Sequence, residues 1–222
     1  IRGLAETLTV LAICGGGARF GGSAEIALMA DVIVADSRSG LSFPEVQIGL
    51  IPGWGGVGRA VTKAGFANAK AMAYTAEIVK ATELERLGVV DLLIPVDRPL
   101  PRFVRTGDKG ADKAAYLQAL ADNEAETAPL LLAAALDAAL DPPAEAGPTG
   151  DARAWDREAI QRRADPGTYD GLYGTPFREA KNEMKTLGKP LAPQSVEALD
   201  ELFARFEGQA GFDEEAFILA EK

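Results

Sequence analysis

The stretch Gly15–Gly56 constrains this chain most. It opens on GGG, passes through Gly21-Gly22 and closes on GWGG at Gly53–Gly56, with Glu25 and Glu45 between the clusters. Glycine clusters let backbone N–H groups come close to a ligand, because no Cβ stands in the way. A glutamate just after one cluster, and a second behind Pro44, can supply acid and base beside a backbone cradle.

The surroundings read as α/β. Leu8–Cys14 (LTVLAIC) is a nearly all-apolar run rich in β-formers and predicts a buried, parallel strand. Beyond the glycines, Ser23 is placed to cap a helix from about Ala24 to Ala30, with Glu25 in its first turn. Asp31–Asp36 (DVIVAD) predicts a second buried strand. Strand, glycine turn, short helix and strand in that order are an α/β signature. Further on, Pro44 biases Phe43 away from helix, and Gly55 to about Ala64 reads as a glycine-rich helix start. Asn68–Ala76 predicts a helix, Thr82 is placed to cap another over Glu83–Leu87, and Val89–Ile94 predicts a strand.

The character then changes. Asp97–Gly110 reads as loop. Lys113–Leu140 predicts an alanine- and leucine-rich helix interrupted near Pro129, and Asp141–Gly150 a linker. Helices are expected over Ala152–Arg163, Phe177–Leu187, Ser195–Phe206 and Glu214–Ala220. In the third of these Val196, Leu199, Leu202, Phe203 and Phe206 recur at helical spacing and predict a face buried in the subunit or between subunits.

Composition narrows the function. The net charge of −10 argues against a nucleic-acid surface. The longest apolar runs are far short of a membrane span. Cys14 is the single cysteine, so no internal disulfide forms, which suits a reducing compartment and an expected cytoplasmic location. The chain has no histidine, which removes Ser-His-Asp and Cys-His nucleophiles and the usual histidine-based metal sites. No metal or redox cofactor is expected, and proton transfer near neutral pH falls to a carboxylate with a raised pKa, or to Lys, Tyr or Cys.

Three stretches in sequence, Gly21–Ala35 (GGSAEIALMADVIVA), Phe43–Gly56 (FPEVQIGLIPGWGG) and Ala69–Pro95, resemble the crotonase superfamily of enoyl-CoA hydratases and isomerases. The resemblance implies a crotonase-type ββα spiral over residues 1–95. Residues 96–222 then form an extended helical region for oligomerisation or ligand cover, and the match is lost over 102–166. It further implies an acyl-CoA substrate, with coenzyme A as part of the substrate, and a homo-oligomer built on trimers. In such enzymes a backbone N–H matching Gly22 binds the thioester oxygen. The glutamate matching Glu25 activates water for the β-carbon, and the one matching Glu45 protonates the α-carbon. Gly17, Phe20, Gly21, Pro52, Gly53 and Trp54 are expected to line the substrate.

Members that only move a double bond usually keep the glutamate matching Glu45 and replace the other, so the pair favours hydration of a 2-enoyl-CoA. The alternatives are isomerisation, thioester or C–C hydrolysis, or a catalytically silent scaffold whose helical tail binds a partner. Arg19 stands where small or apolar residues are common and is placed to reach a phosphate or carboxylate or to point to solvent. The second oxyanion N–H of the resembling enzymes comes from an upstream segment. With Ile1 in place of a start methionine, the expectation is a separate N-terminal piece or chain that completes the spiral.

Overall fold

In the computed structural model, residues 8–141, 147–165, 188–208 and 212–214 are described. Strand β1 (Leu11–Cys14) and β2 (Gly17–Phe20) flank the first glycines and lead into helix α1 (Gly22–Ala27). Strands β3 (Val32–Asp36) and β4 (Ser39–Ser42) follow, then a 3₁₀ turn (Pro44–Gln47) and helices α2 (Gly56–Ala64) and α3 (Phe66–Thr75). The chain continues through β5 (Val79–Lys80), α4 (Ala81–Arg86), β6 (Leu92–Ile94), α5 (Lys109–Leu140), α6 (Arg157–Arg163) and α7 (Pro193–Gly208). The strands divide between two sheets, ordered β1-β3-β6 and β2-β4-β5, and each of the pairs β1/β2, β3/β4 and β5/β6 gives one strand to each sheet. This is the α/β spiral that the sequence predicts.

The first sheet is parallel. Leu11 pairs with Val32 and Cys14 with Ala35, while Val34 pairs with Leu92 and Asp36 with Ile94. All of β3 is buried, which is why it reads as an unbroken apolar run instead of an alternating one. Burial also pushes the Cys14 thiol up, so it sits in the strand as a small apolar group.

The described residues fall into two compact units. The first is drawn from Ile1–Arg19, Ala27–Leu41 and Val79–Thr149. Its core sets Val32 and Val34 of β3 against Leu131, Ala135 and Ala138 of α5, with Leu11, Leu92 and Ile94 at the margin. Those three α5 positions are spaced to fall on one helix face. Asp108 caps α5 by accepting N–H bonds from Gly110 (2.8 Å) and Ala111 (3.1 Å). Helix α5 runs unbroken through Pro129, against the expected interruption. Pro129 is on the exposed side, where the carbonyl that loses its partner can turn to water. A buried network ties this unit together. Asp36 Oδ2 accepts from Gly16 N and from Arg38 Nη2, each at 2.7 Å, and Arg38 Nη1 reaches Asn123 Oδ1 of α5 at 2.6 Å.

The second unit is drawn from Phe20–Ile26, Ser42–Ile78 and Gly150–Lys222. In α7, Val196, Leu199, Leu202 and Phe203 are buried within the chain. The Phe203 ring meets Phe66 edge-on at 5.6 Å and stacks near Tyr74 at 5.5 Å. Just before α7, Ala192 N donates to Val46 O at 2.7 Å, which anchors the helix to the 3₁₀ turn. The helix expected from Ala152 begins only at Arg157, where Asp156 accepts from Glu158 N. Helix Phe177–Leu187, and all of Glu214–Ala220 but Glu214, lie outside the described residues. Among the described residues no helix is long and apolar enough to cross a membrane.

Candidate active site

Gly21 sets the entry to α1. Its φ of +54° is a conformation that a side chain would strain. Its N–H donates to Ser42 O at 3.0 Å, and its carbonyl accepts from Ala24 N (2.8 Å) and Glu25 N (3.0 Å). The helix therefore starts at Gly22, ahead of the expected Ser23 cap. The Ser23 hydroxyl turns back instead, exchanging bonds with Phe20 N (3.0 Å) and Phe20 O (2.9 Å). As the first residue of α1, Gly22 carries an N–H with no partner inside the helix.

Glu25 projects from α1 into the turn before α2 and is only 3% exposed. Its Oε2 accepts from Trp54 N at 2.8 Å and Gly56 N at 2.9 Å, and its Oε1 from Gly53 N at 3.3 Å. The glycine-rich run after Pro52 thus forms a cradle, but for a side chain of the same chain. A Cβ on Gly56 would stand 2.5 Å from Glu25 Cγ, so only glycine leaves room for the carboxylate. Oε2 is committed to two donors. Oε1 holds one long bond and keeps a lone pair for a further hydrogen.

Glu45 sits in the Pro44–Gln47 turn and is 8% exposed. Its Oε1 would lie 2.7 Å from a Cβ on Gly21, so it packs against the bend that launches α1. Its Oε2 is buried without a hydrogen-bond partner. Burial pushes the pKa of Glu45 up to about 7, the backbone N–H of its own residue opposes the rise, and the charge of Glu25 adds to it.

The remaining expected positions divide. Gly22 lies under Trp54, where a Cβ would stand 2.6 Å from the ring. Trp54 and Phe20 are about half exposed, at 55% and 50%, while Pro52 is buried. These residues, with Gly21, Gly53 and both glutamates, belong to the second unit. Gly17 belongs to the first, where it lines a cavity of about 880 Å³ with Arg19, Leu100 and Leu131. Arg19 is half-buried. Its guanidinium donates to the carbonyls of Gly15 (3.0 Å), Gly16 (2.8 Å) and Gly17 (2.9 Å). Among the described residues no cluster of three metal-ligating side chains occurs.

One residue escaped the sequence reading. Glu214 is 5% exposed and its Oε2 accepts from Gly58 N at 2.5 Å. The local signal was the Gly56-Val57-Gly58 spacing, which leaves two openings in the first turn of α2 where the reading saw an eased helix start.

A family model described as Enoyl-CoA hydratase/isomerase matches residues 5–141. Among curated relatives, a probable mitochondrial enoyl-CoA hydratase of Dictyostelium discoideum is 31% identical over 47% of this chain and 38% of its own length. A short-chain-enoyl-CoA hydratase of Clostridioides difficile is 34% identical over 34% of this chain and 49% of its own. An enoyl-CoA isomerase/hydratase of Mycosarcoma maydis is 41% identical over 36% and 29%. The chain thus spans less than half the length of each of these relatives. A crystal structure of an enoyl-CoA hydratase from Mycobacterium tuberculosis aligns over 55% of this chain and 58% of that one, at 28% identity and a TM-score of 0.35.

Proposed function

The chain belongs to the enoyl-CoA hydratase/isomerase family, and on that premise we propose that it adds water across the double bond of a 2-enoyl-CoA. The observation that carries this reading is the contrast between two neighbouring buried glutamates. Glu25 is gripped by three backbone N–H donors and keeps one lone pair open on Oε1. Glu45 has a buried oxygen with no partner and a pKa near 7. Environments that differ in this way separate base from acid.

In the proposed reaction the thioester oxygen takes the Gly22 N–H, at the positive end of α1. A water on Glu25 Oε1 gives that oxygen its proton as its own oxygen bonds to the β-carbon. The π electrons move toward the thioester as an enolate. The α-carbon then takes the proton of Glu45, and the C–H bond completes the 3-hydroxyacyl-CoA. The proton on Glu25 passes to Glu45, directly or by exchange through solvent, which restores the starting state. Hydration is favoured over isomerisation because a bond shift alone needs no second glutamate with room for water. The homo-oligomer built on trimers is part of the same proposal, with light scattering as its check.

The test is the pair Glu25→Gln and Glu45→Gln, assayed with a 2-enoyl-CoA and a 3-enoyl-CoA. Each should lower hydration kcat by about 10² or more and leave binding of a saturated acyl-CoA little changed. Near-full hydration by Glu25→Gln refutes the assignment. Loss of hydration with isomerisation kept moves the reading to the isomerases.

A further inference from the structure

Helix α2 receives a second carboxylate besides that of Glu25. Gly56 and Gly58 each leave an opening where a side chain would collide with a glutamate. A Cβ on Gly56 would meet Glu25 Oε2 at 2.7 Å, and one on Gly58 would meet Glu214 Oε2 at 2.8 Å and Phe206 Cζ at 3.3 Å. The turn before α2 and the first turn of the helix therefore divide their amides between two acids. Glu25 takes Gly53, Trp54 and Gly56, and Glu214 takes Gly58. Glu214 arrives from 156 residues away, and its other oxygen is buried with no hydrogen-bond partner among the described residues.

A carboxylate at a helix start is ordinary on a surface, where water serves the rest of the group. Glu214 is 95% withdrawn from water, as its 5% exposure shows, and stands near enough to Glu25 to feel its charge. Burial pushes its pKa up to about 7 and Glu25 adds to that rise, while the Gly58 and Val57 N–H groups and Arg59 oppose it. Such a placement costs stability by itself. What it secures is the start of α2, whose Gly56 amide completes the seat of Glu25 begun by Gly53 and Trp54 in the preceding turn.

We infer that Glu214 is a positioning residue for the reaction: it clamps the first turn of α2 so that the amides holding Glu25 keep the open Oε1 lone pair directed at the attacking water. The inference rests on the reading of Glu25 as the water base. Glu214 touches no reacting atom, and its effect passes through Gly58 and the turn to Glu25.

The experiment compares Glu214→Ala, Glu214→Gln, Gly58→Ala and the double variant Glu214→Ala/Gly58→Ala. It measures kcat and KM with a 2-enoyl-CoA and native-state amide exchange at Gly56, Val57 and Gly58. Glu214→Ala should lower kcat about tenfold with KM within about twofold, since a displaced base loses rate without loss of binding. Exchange at those amides should quicken about tenfold. Glu214→Gln, which keeps an acceptor for Gly58, should recover most of both. Gly58→Ala should reproduce the kcat loss, and the double variant should be little worse than either single one. Unchanged exchange in Glu214→Ala, or losses that add in the double variant, overturns the inference. If the unaltered protein hydrates nothing, the hydratase reading fails and the exchange result alone decides the role of Glu214. If Glu214→Ala does not fold, Gly58→Ala decides it.

Discussion

Asp36 in the first unit and Glu45 in the second are both buried carboxylates, at 0% and 8% exposure, and they are treated in opposite ways. Asp36 is satisfied on every side. Oδ1 accepts from Arg38 N at 2.9 Å, and Oδ2 accepts from Gly16 N and the Arg38 guanidinium. Among the described residues Glu45 has a carboxyl oxygen with nothing to accept from, and the charge of Glu25 is nearby. The first arrangement fixes the glycine turn to β3 and, through Arg38, to α5. The second gains nothing for the fold and leaves a carboxylic acid that can still hold its proton near neutral pH. Asp36, fully paired, serves the scaffold, and the orphan oxygen of Glu45 is what the proposed proton donor requires.

The largest expected effect tests the scaffold side. Asp36→Ala leaves the Arg38 guanidinium buried beside an empty place, at 9% side-chain exposure. Stability should fall by about 3–5 kcal/mol, read as a lower urea midpoint. A loss under about 1 kcal/mol would mean that the network is ornamental and the contrast false.

Glu45→Gln tests the other side, and its two consequences should have opposite signs. Hydration should fall by about 10² or more, or about 2.7 kcal/mol in the barrier. Stability should rise at high pH. The pKa of Glu45 in the fold, about 7, is above its ordinary value of 4.5. Between those values the folded protein binds more protons than the unfolded chain, so stability declines as pH climbs through that window. Glutamine carries no such penalty. The variant should therefore exceed the parent by about 1–3 kcal/mol at pH 8 and match it near pH 4. Urea titrations at the two pH values would show this, and equal midpoints at pH 8 would remove Glu45 from the class of strained acids.

The same acid should shape the rate. Above about pH 7 the proton donor is lost, and hydration should fall by about tenfold per pH unit. A flat profile from pH 6 to 9 would assign the α-proton to another group.

The smallest effect sharpens the contrast within the second unit. Gly56→Ala places a methyl 2.5 Å from Glu25 Cγ. The overpacking should cost about 1–3 kcal/mol of stability, in spite of the better helix propensity of alanine. A stabilised Gly56→Ala variant would show that the seat is looser than its distances state.

Much of this architecture was open to reading along the chain. The apolar run Val32–Ala35 could only be an interior strand, and the paired glutamates stood out against glycine-rich surroundings. Short-range details were read less well. The Ser23 cap failed because the Gly21 carbonyl already takes the amides of Ala24 and Glu25. The Thr82 cap failed because β5 runs directly into α4, which begins at Ala81. Pro129 did not break α5, since the helix is buried on both sides of it, at Asn123 and Thr127 before it and at Leu131, Ala135 and Ala138 against β3 after it. Tertiary packing outweighed a local preference of a few kcal/mol in that case.

By itself the sequence determined the α/β class, the strands of the parallel sheet, the apolar face of α7 and the two glutamates, because periodicity and glycine spacing are local properties of the chain. Only the tertiary structure decided what the glycines hold. The Pro52–Gly56 turn wraps the chain's own Glu25, Arg19 is spent on three carbonyls, and Gly58 admits Glu214 from the far end of the chain. Each of these depends on which distant residue fills a given opening. Close packing settles that after the elements have formed, and no local pattern encodes it.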